Sequence, residues 1–169
     1  MSQELLFVVD ENNKPLKPLP RNEVISRRLW RRTSGGILIH EPSKKVLCQK
    51  RSESKDERPG LWIAEFGGKS APSEDAKITA VRELEEEFGV TVNEDAMIFS
   101  SLIKSEARRQ FEYQYYVHWE GNESDIKFDS KEVSEIQWMA IPKVIKHLQN
   151  DSTWYSYGYE IDMLMKLMP

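Results

Sequence analysis

The stretch GKSAPSEDAKITAVRELEEEFGV, residues 68–90, carries the strongest helix signal in this chain. We predict a helix over Ser73–Phe88, with Ser73 as its N-terminal cap. Glu74 and Asp75 place negative charge at the positive end of the helix dipole. Gly89 follows at the position where helices commonly end in a left-handed residue. The stretch therefore predicts a helix with a defined beginning and end.

Three glutamates of this helix share one face. At about 100° per residue, Glu83, Glu86 and Glu87 occupy positions i, i+3 and i+4, whereas Glu85 projects away from them. Clustered carboxylates repel one another unless a cation lies among them, and hard oxygen ligands suit Mg²⁺ or Mn²⁺. Three glutamates considered alone are more typical of a solvated helix face. The rest of the pattern in residues 68–90 favours a metal site over a solvated helix face.

Apolar side chains lie roughly opposite the glutamates. We predict that this face anchors the helix in the core. Its residues are Ile78, Val81, Leu84 and Phe88.

The elements on either side of this helix are mainly strands, followed by helices. The predicted strands are Glu4–Asp10 (the start of a hairpin over residues 4–20), Gly36–Ile39, Lys45–Gln49, Leu61–Phe66, Ala96–Ile103, Phe111–Trp119 and Ser134–Ile141. Two closing helices are predicted at Pro142–Gln149 and Trp154–Met168. This order indicates an α/β fold with a mixed sheet and helices packed on both sides.

Size and composition are those of a globular protein. The 169 residues suit one domain, which we predict to span residues 1–169. The net charge of −4 gives no reason to expect nucleic-acid or membrane binding, and no apolar run is long enough to span a bilayer. Met1–Glu4 does not begin like a signal peptide. Because Cys48 is the only cysteine, no internal disulfide forms, and the cytoplasm is the expected location.

The pattern of residues 68–90 resembles the signature of the Nudix hydrolase superfamily. That signature is G-x5-E-x7-R-E-U-x-E-E-x-G-U, where U is aliphatic, and Gly68, Glu74 and Arg82–Val90 match it at every constrained position. The resemblance implies an α/β/α sandwich with a mixed sheet. It also implies hydrolysis of a small organic diphosphate with Mg²⁺ or Mn²⁺ as the cofactor.

The same resemblance assigns roles to individual residues. It implies that Glu83, Glu86 and Glu87 are catalytic metal ligands and that Arg82 orients a neighbouring glutamate. It also implies that Gly67 offers its backbone carbonyl to the metal, because two adjacent glycines allow close backbone approach. The alternative for Gly67 is a simple turn.

A looser similarity extends from Glu4 to Gln149. The segments that carry it resemble the isopentenyl-diphosphate-isomerase-like branch of the superfamily and are Arg21–Val24, Leu29–Arg32, Gln49–Ser52 and Pro59–Trp62. The chain departs from true isomerases at two positions. It has Gly67 where they have a catalytic cysteine and Lys69 where they have a histidine.

Histidines also separate the chain from true isomerases. The segment that corresponds to their metal-binding histidines, Glu23–Arg32, has none. We interpret His40, His118 and His147 as surface or strand residues. Hydrolysis is therefore favoured over isomerisation.

Three residues outside the signature are further candidates for the site. Arg51 and Lys55 follow the strand predicted at Lys45–Gln49, where basic residues of the superfamily often contact phosphate. They are therefore candidate substrate-binding residues, and the alternative is that they are solvated loop charges. Glu132, on a late loop, is our candidate general base, and its alternative is a solvent-facing glutamate. Glu112 and Glu120 are additional candidates for the base.

Three functions remain open from the sequence. The first is hydrolysis of a substrate of the form X–diphosphate–Y. The others are an isomerase-like enzyme acting on prenyl diphosphates and a non-catalytic diphosphate-binding domain. The expected partner is a small-molecule diphosphate, which includes nucleoside diphosphate derivatives, oxidised nucleotides, dinucleotide cofactors and prenyl diphosphates, and a homodimer paired through the N-terminal hairpin is possible.

Overall fold

The computed structural model describes residues 4–168. The strands are β1 (Leu5–Leu6), β2 (Leu19–Pro20), β3 (Arg31–His40), β4 (Lys45–Arg51), β5 (Trp62–Ile63), β6 (Phe66–Lys69), β7 (Met97–Ser105), β8 (Gln110–Trp119) and β9 (Val133–Ala140). The α-helices are α1 (Arg21–Ser26), α2 (Ala76–Phe88), α3 (Ile141–Asn150) and α4 (Tyr159–Lys166). The ends of the predicted domain, residues 1–3 and 169, lie outside the described residues.

Seven of these strands form one mixed sheet. Its central order is β5-β4-β3-β8-β7, with β6 also paired to β3 and β9 also paired to β4. Strands β3 and β8 run parallel, and the other pairs are antiparallel. Strand β3 changes partner along its length, pairing with β6 through residues 33–36 and with β4 through residues 39–40.

Helices cover both faces of this sheet because neighbouring strand residues point in opposite directions. On β3, Ile37 and Ile39 contact the core beneath α3 and α4, whereas Leu38 contacts the core beneath α2. The same alternation on β4 sends Val46 and Cys48 to one side and Leu47 to the other. The predicted α/β/α sandwich with a mixed sheet is confirmed.

Helix α2 differs from the prediction at its beginning. Asp75 is the cap, because its side chain accepts a 2.9 Å hydrogen bond from the amide of Ile78. The predicted cap, Ser73, lies outside the helix with a φ of 69°. Ile78 is 40% exposed, so its predicted role in the core was wrong. The helix ends as predicted at Gly89, whose φ is 67°.

The later turns of α2 anchor this helix in the core beneath it. Leu84 and Phe88 are buried there, as predicted, and Ala80 joins them. They pack against Leu38 of β3 and Leu47 of β4. This packing holds the glutamate face of the helix beside the edge where β3 meets β6.

Several predicted boundaries were wrong. The predicted strand Leu61–Phe66 is two short strands, β5 and β6. The last helix begins at Tyr159 rather than Trp154, because residues 151–158 form turns and irregular structure. The predicted strand Glu4–Asp10 is regular only at Leu5–Leu6, which pairs with Leu19–Pro20 to form the expected N-terminal hairpin. Helix α1 was not predicted.

No helix in residues 4–168 is long and apolar enough to cross a membrane.

Candidate active site

A cavity of about 1030 Å³ opens between the glutamate face of α2, the strands β3, β6 and β8, and two surface loops. Seven of the site residues predicted from the sequence line this cavity, whereas Glu120, an additional candidate for the base, is exposed and does not. The seven residues are Arg51, Lys55, Gly67, Glu83, Glu86, Glu87 and Glu132.

Glu87 is the most buried carboxylate of the predicted trio, at 7% exposed. Gln49 on β4 donates a hydrogen bond of 3.0 Å from Nε2 to Glu87 Oε2. Burial, followed by the nearby charge of Glu83, raises the pKa of Glu87 to about 8, although a backbone hydrogen bond from Gly67 opposes the shift. Two neighbouring carboxylates with little access to water are an environment that favours a bound cation or a bound proton.

Glu83 lies one turn earlier, against the glycines of β6. An added Cβ on Gly68 would lie 2.2 Å from Glu83 Oε1, so a larger residue there would displace this carboxylate. Burial also raises the pKa of Glu83, and Arg82 opposes the shift. Glu85 is exposed, on the other side of the helix.

Arg82 ties the acidic residues together. Its guanidinium donates to Glu74 at 3.0 and 3.1 Å, to Glu83 at 2.9 Å and to Glu86 at 2.9 Å. It also donates to the backbone carbonyl of Lys69 at 3.1 Å. The arginine therefore connects the helix to the strand β6 and orients both Glu83 and Glu86.

The ligands for a metal ion are present, but the side chain of Glu86 is bound to Arg82. Within residues 4–168, no group of three or more His, Cys, Asp or Glu side chains is arranged to hold a metal ion. Glu83 and Glu87 supply two hard oxygen ligands, and the third glutamate, Glu86, is engaged by Arg82. The side chain of Glu86 is 59% exposed, so its ion pair is weak and releasing it costs little free energy. The donor set therefore fits a hard divalent cation.

The end of β4 and the loop that follows it contribute both basic and acidic side chains to the cavity lining. Arg51 Nε donates a 2.9 Å hydrogen bond to the carbonyl of Glu57, which holds its guanidinium at the cavity. Lys55 forms an ion pair with Glu132, the predicted base. A backbone hydrogen bond joins the loops that carry Lys55 and Glu132, because the amide of Ser52 donates to the carbonyl of Glu132 at 3.0 Å. Arg51 and Lys55 therefore line the same cavity as the glutamates of α2, and the charge of Arg51 acts to lower the pKa of Glu87.

Residues 29–158 match the family model described as the NUDIX domain, which is more than half of the chain. The chain belongs to the Nudix family. One relative, an uncharacterised Nudix hydrolase of Yersinia pestis, is 37% identical over 87 residues, which are 52% of this chain and 47% of that protein. The chain thus spans about half the length of the curated relatives that it matches. The family model and these relatives support a Nudix-type hydrolase.

Solved structures with the same fold are more distant in sequence. DR0079 of Deinococcus radiodurans has a TM-score of 0.75 at 17% identity, covering 98% of this chain and 100% of that one. A bifunctional NMN adenylyltransferase/ADP ribose pyrophosphatase of Francisella tularensis, solved with AMP and a manganese ion, has a TM-score of 0.61 at 15% identity. That match covers 82% of this chain and 42% of the other. These likenesses show the Nudix fold.

The Nudix site also contains residues that the sequence analysis did not select. Glu65, Gln114, Tyr157 and Tyr159 line the cavity, together with Glu112, which had been considered only as an additional base. Burial raises the pKa of Glu112 to about 7, with the charge of Arg108 opposing the shift. One signal in the sequence marked Glu112 and Gln114: they are polar residues at alternate positions of an otherwise apolar and aromatic strand.

Proposed function

We propose that this chain hydrolyses a small organic diphosphate in a reaction that depends on Mg²⁺ or Mn²⁺. One observation carries the proposal. The buried carboxylate of Glu87 and the nearly buried carboxylate of Glu83 lie together in a cavity that Arg51 and Lys55 also line. A diphosphate bound through a divalent cation suits this lining, because the cation neutralises the glutamates and the phosphate oxygens attract Arg51 and Lys55.

Each residue then has a defined task. Glu83, Glu87 and the carbonyl of Gly67 would hold the cation, and Glu86 joins them when it leaves Arg82. When bound, the cation neutralises phosphate charge and lowers the pKa of a coordinated water. Arg51 and Lys55 bind phosphate oxygens.

The reaction is a hydrolysis at one phosphorus. The oxygen of a water molecule attacks that phosphorus, and the bond to the bridging oxygen breaks. The bridging oxygen leaves with the second phosphate, so the products are two phosphorylated molecules. Glu132, which lines the same cavity, accepts the proton of the attacking water.

The decisive experiment compares Glu87→Gln with Glu85→Gln. Both variants replace one glutamate carboxyl group of the same helix by an amide, but only Glu87 lines the cavity. Over a panel of diphosphates with Mg²⁺ or Mn²⁺, we expect Glu87→Gln to lower kcat by at least about a hundredfold and Glu85→Gln to leave it nearly unchanged. Released products are read by mass spectrometry. Wild-type turnover in Glu87→Gln, or no turnover of any diphosphate by the wild-type protein, would overturn the proposal.

The structure adds an argument against isomerase chemistry, although the looser resemblance to that branch stays a prediction. Cys48, the only cysteine of the chain, is fully buried in the core beneath α3 and α4 and does not line the cavity. It cannot replace the cysteine that is absent at Gly67. We expect no isomer when isopentenyl diphosphate is incubated with the protein and Mg²⁺.

A further inference from the structure

Strand β7 forms one edge of the mixed sheet. Among the described residues, 4–168, it pairs only with β8, so the backbone groups on its outer side have no partner strand. Its nine residues extend over about 30 Å. An open edge of this length can pair with a strand of another chain.

Apolar side chains are exposed on both faces of this edge. Ile98, Phe99 and Leu102 are 50%, 55% and 45% exposed. Phe99 lies against Tyr115, whose ring packs on the core beneath α2. Ile98 pairs with Tyr116, whose hydroxyl donates to the backbone of α4. The exposed side chains therefore flank the edge on the α2 side and on the α4 side.

Little in the sequence of β7 prevents it from pairing. Natural proteins protect open edges with charges, prolines, bulges or a covering segment. Strand β7 contains no proline, and its one charged residue, Lys104, is next to last. A bulge shifts its register with β8 between Phe99 and Ser101, but a bulge changes the twist of a strand without removing its backbone groups. The exposure of the apolar side chains shows that no other described segment covers the edge.

The start of β7 is acidic. Glu94 and Asp95 precede the strand by only a few residues, and both are exposed. Neither carboxylate forms an ion pair with another residue in the described range 4–168. This end of the edge therefore carries two carboxylates that a cation of another chain can approach.

The other end of β7 is basic. Lys104 and Arg109 both pair with Glu106, at 3.2 and 3.1 Å, so two cations share one carboxylate. Arg28 adds a third cation, because its guanidinium donates to the carbonyl of Ala107 at 3.0 Å. These ion pairs are exposed and weak, which leaves the cations available to a further carboxylate. The edge is thus negative at its start and positive at its end.

We propose that a second copy of this chain pairs with β7, antiparallel and about a twofold axis, so that two sheets become one continuous sheet. An antiparallel pair brings the start of each strand to the end of the other, which places both acidic starts beside both basic ends. Charge complementarity of the strand with itself is the reason for choosing a second copy over another protein. The pair uses the open edge of both copies, so assembly stops at the dimer.

The apolar side chains favour one register of this pair. When the twofold axis passes between Ser100 and Ser101, Phe99 of each copy lies opposite Leu102 of the other. Both side chains are on the α2 side of the sheet, because Leu102 lies opposite Tyr113, which also packs on the core beneath α2. The dimer therefore covers the apolar side chains that leave the edge exposed in one copy.

The same register matches the charges. Lys104 of each copy lies diagonally opposite Asp95 of the other, a separation that a long side chain spans. The twofold axis produces this contact twice. Residues 97–105 do not line the cavity beside α2, so the interface is separate from the candidate active site and the inference is independent of the proposed hydrolysis. It also lies away from the N-terminal hairpin, the dimer contact suggested by the sequence.

Sedimentation equilibrium of the full chain tests the association. Because few apolar side chains are buried, the interface is smaller than a standard one, and we expect a monomer–dimer equilibrium with a Kd of about 1–50 µM. Leu102→Lys should raise Kd at least about tenfold. Leu16→Lys makes the same change in the N-terminal hairpin, at a residue that is 52% exposed, and should leave Kd unchanged. A protein that stays monomeric at about 200 µM, or a dimer weakened only by Leu16→Lys, overturns the proposal.

A mixing experiment tests the charge argument. Asp95→Lys brings two cations together at each end of the pair, and Lys104→Glu brings two carboxylates together. At low salt, each variant alone should dimerise at least about tenfold more weakly than the wild type. A mixture of the two variants restores opposite charges at both ends and should form a heterodimer with nearly wild-type affinity. Weak association in the mixture, when both variants keep the wild-type Tm, contradicts the proposed pairing.

Amide hydrogen exchange locates the contact along the chain. Amides of β7 should exchange more slowly at about 200 µM than at about 1 µM, whereas those of the hairpin strand β1 should not change. Association without protection of β7, or association that continues into larger oligomers, overturns the proposal. None of these measurements depends on turnover, so their failure leaves the proposed hydrolase intact, and an inactive protein leaves the dimer intact.

Discussion

The side-chain amide of Gln49 joins the two halves of the site, donating from Nε2 to Glu87 Oε2 at 3.0 Å and to the backbone carbonyl of Glu65 at 2.8 Å. One hydrogen bond reaches the carboxylate on helix α2, and the other reaches the segment that leads into strand β6. Glu87 is thereby held in place beside Glu83 while it remains almost without contact with water. Burial and the charge of Glu83 raise the pKa of this carboxyl group, although the hydrogen bond from Gln49 acts to lower it.

Metal binding should therefore depend on pH. The pKa of Glu87 is raised from 4.5 to about 8, so the ionised ligand becomes scarce below pH 8. We expect the apparent affinity for Mg²⁺ to fall about tenfold per pH unit below pH 8, with release of a proton on binding. Calorimetry in two buffers of different ionisation enthalpy measures both quantities. Glu87→Gln should remove the released proton, and an affinity independent of pH between 6 and 8 would contradict the assignment.

The same shift predicts how the metal-free protein responds to pH. A glutamate with a raised pKa in the folded state stabilises the fold at low pH, and that contribution is lost as pH rises from about 4.5 through about 8. Mg²⁺ should therefore raise Tm more at pH 8.5 than at pH 6. Thermal unfolding with and without Mg²⁺ measures this difference, and Glu87→Gln should flatten it.

Removing Arg82 should destabilise the protein as well as impair the site. Arg82→Ala leaves Glu74 and Glu83 partly buried without their cation, which should cost about 1–3 kcal/mol of the free energy of unfolding. Arg27→Ala is the matched control, because its ion pair with Glu23 is exposed and should contribute less than about 1 kcal/mol. Chemical denaturation measures both variants. Equal losses of stability would show that Arg82 has no special structural role.

The ion pair of Lys55 and Glu132 allows their two proposed roles to be separated. If Glu132 accepts the proton of water, Glu132→Gln should lower kcat by about a hundredfold or more with little change in KM. If Lys55 binds phosphate, Lys55→Met should raise KM several-fold with a smaller effect on kcat. Steady-state kinetics distinguishes these patterns. An unchanged kcat in Glu132→Gln would transfer the role of base to another carboxylate of the cavity, with Glu112 as the first to examine.

Local periodicity explains why the acidic helix was predictable. Glu83, Glu86 and Glu87 share a face because helical geometry depends only on positions along the chain. The prediction failed for Ser73 and Ile78, both near the beginning of the helix. There, the path of the preceding loop decides which residue caps the helix and which side chains reach the core. Short-range sequence patterns do not specify the path of that loop.

The amino-acid sequence by itself determined the family and the acidic helix, because each depends on spacing within a short segment. It also indicated the mixed α/β architecture, which follows from the order of strands and helices along the chain. Only the tertiary structure decided that Gln49 buries Glu87, that Lys55 pairs with Glu132 and that Gln114 keeps an acceptor without a donor. These contacts join residues that are far apart in the chain. They arise because the sheet places β4, β6 and β8 around one cavity, and burial there sets the charge and hydrogen-bonding needs of each group.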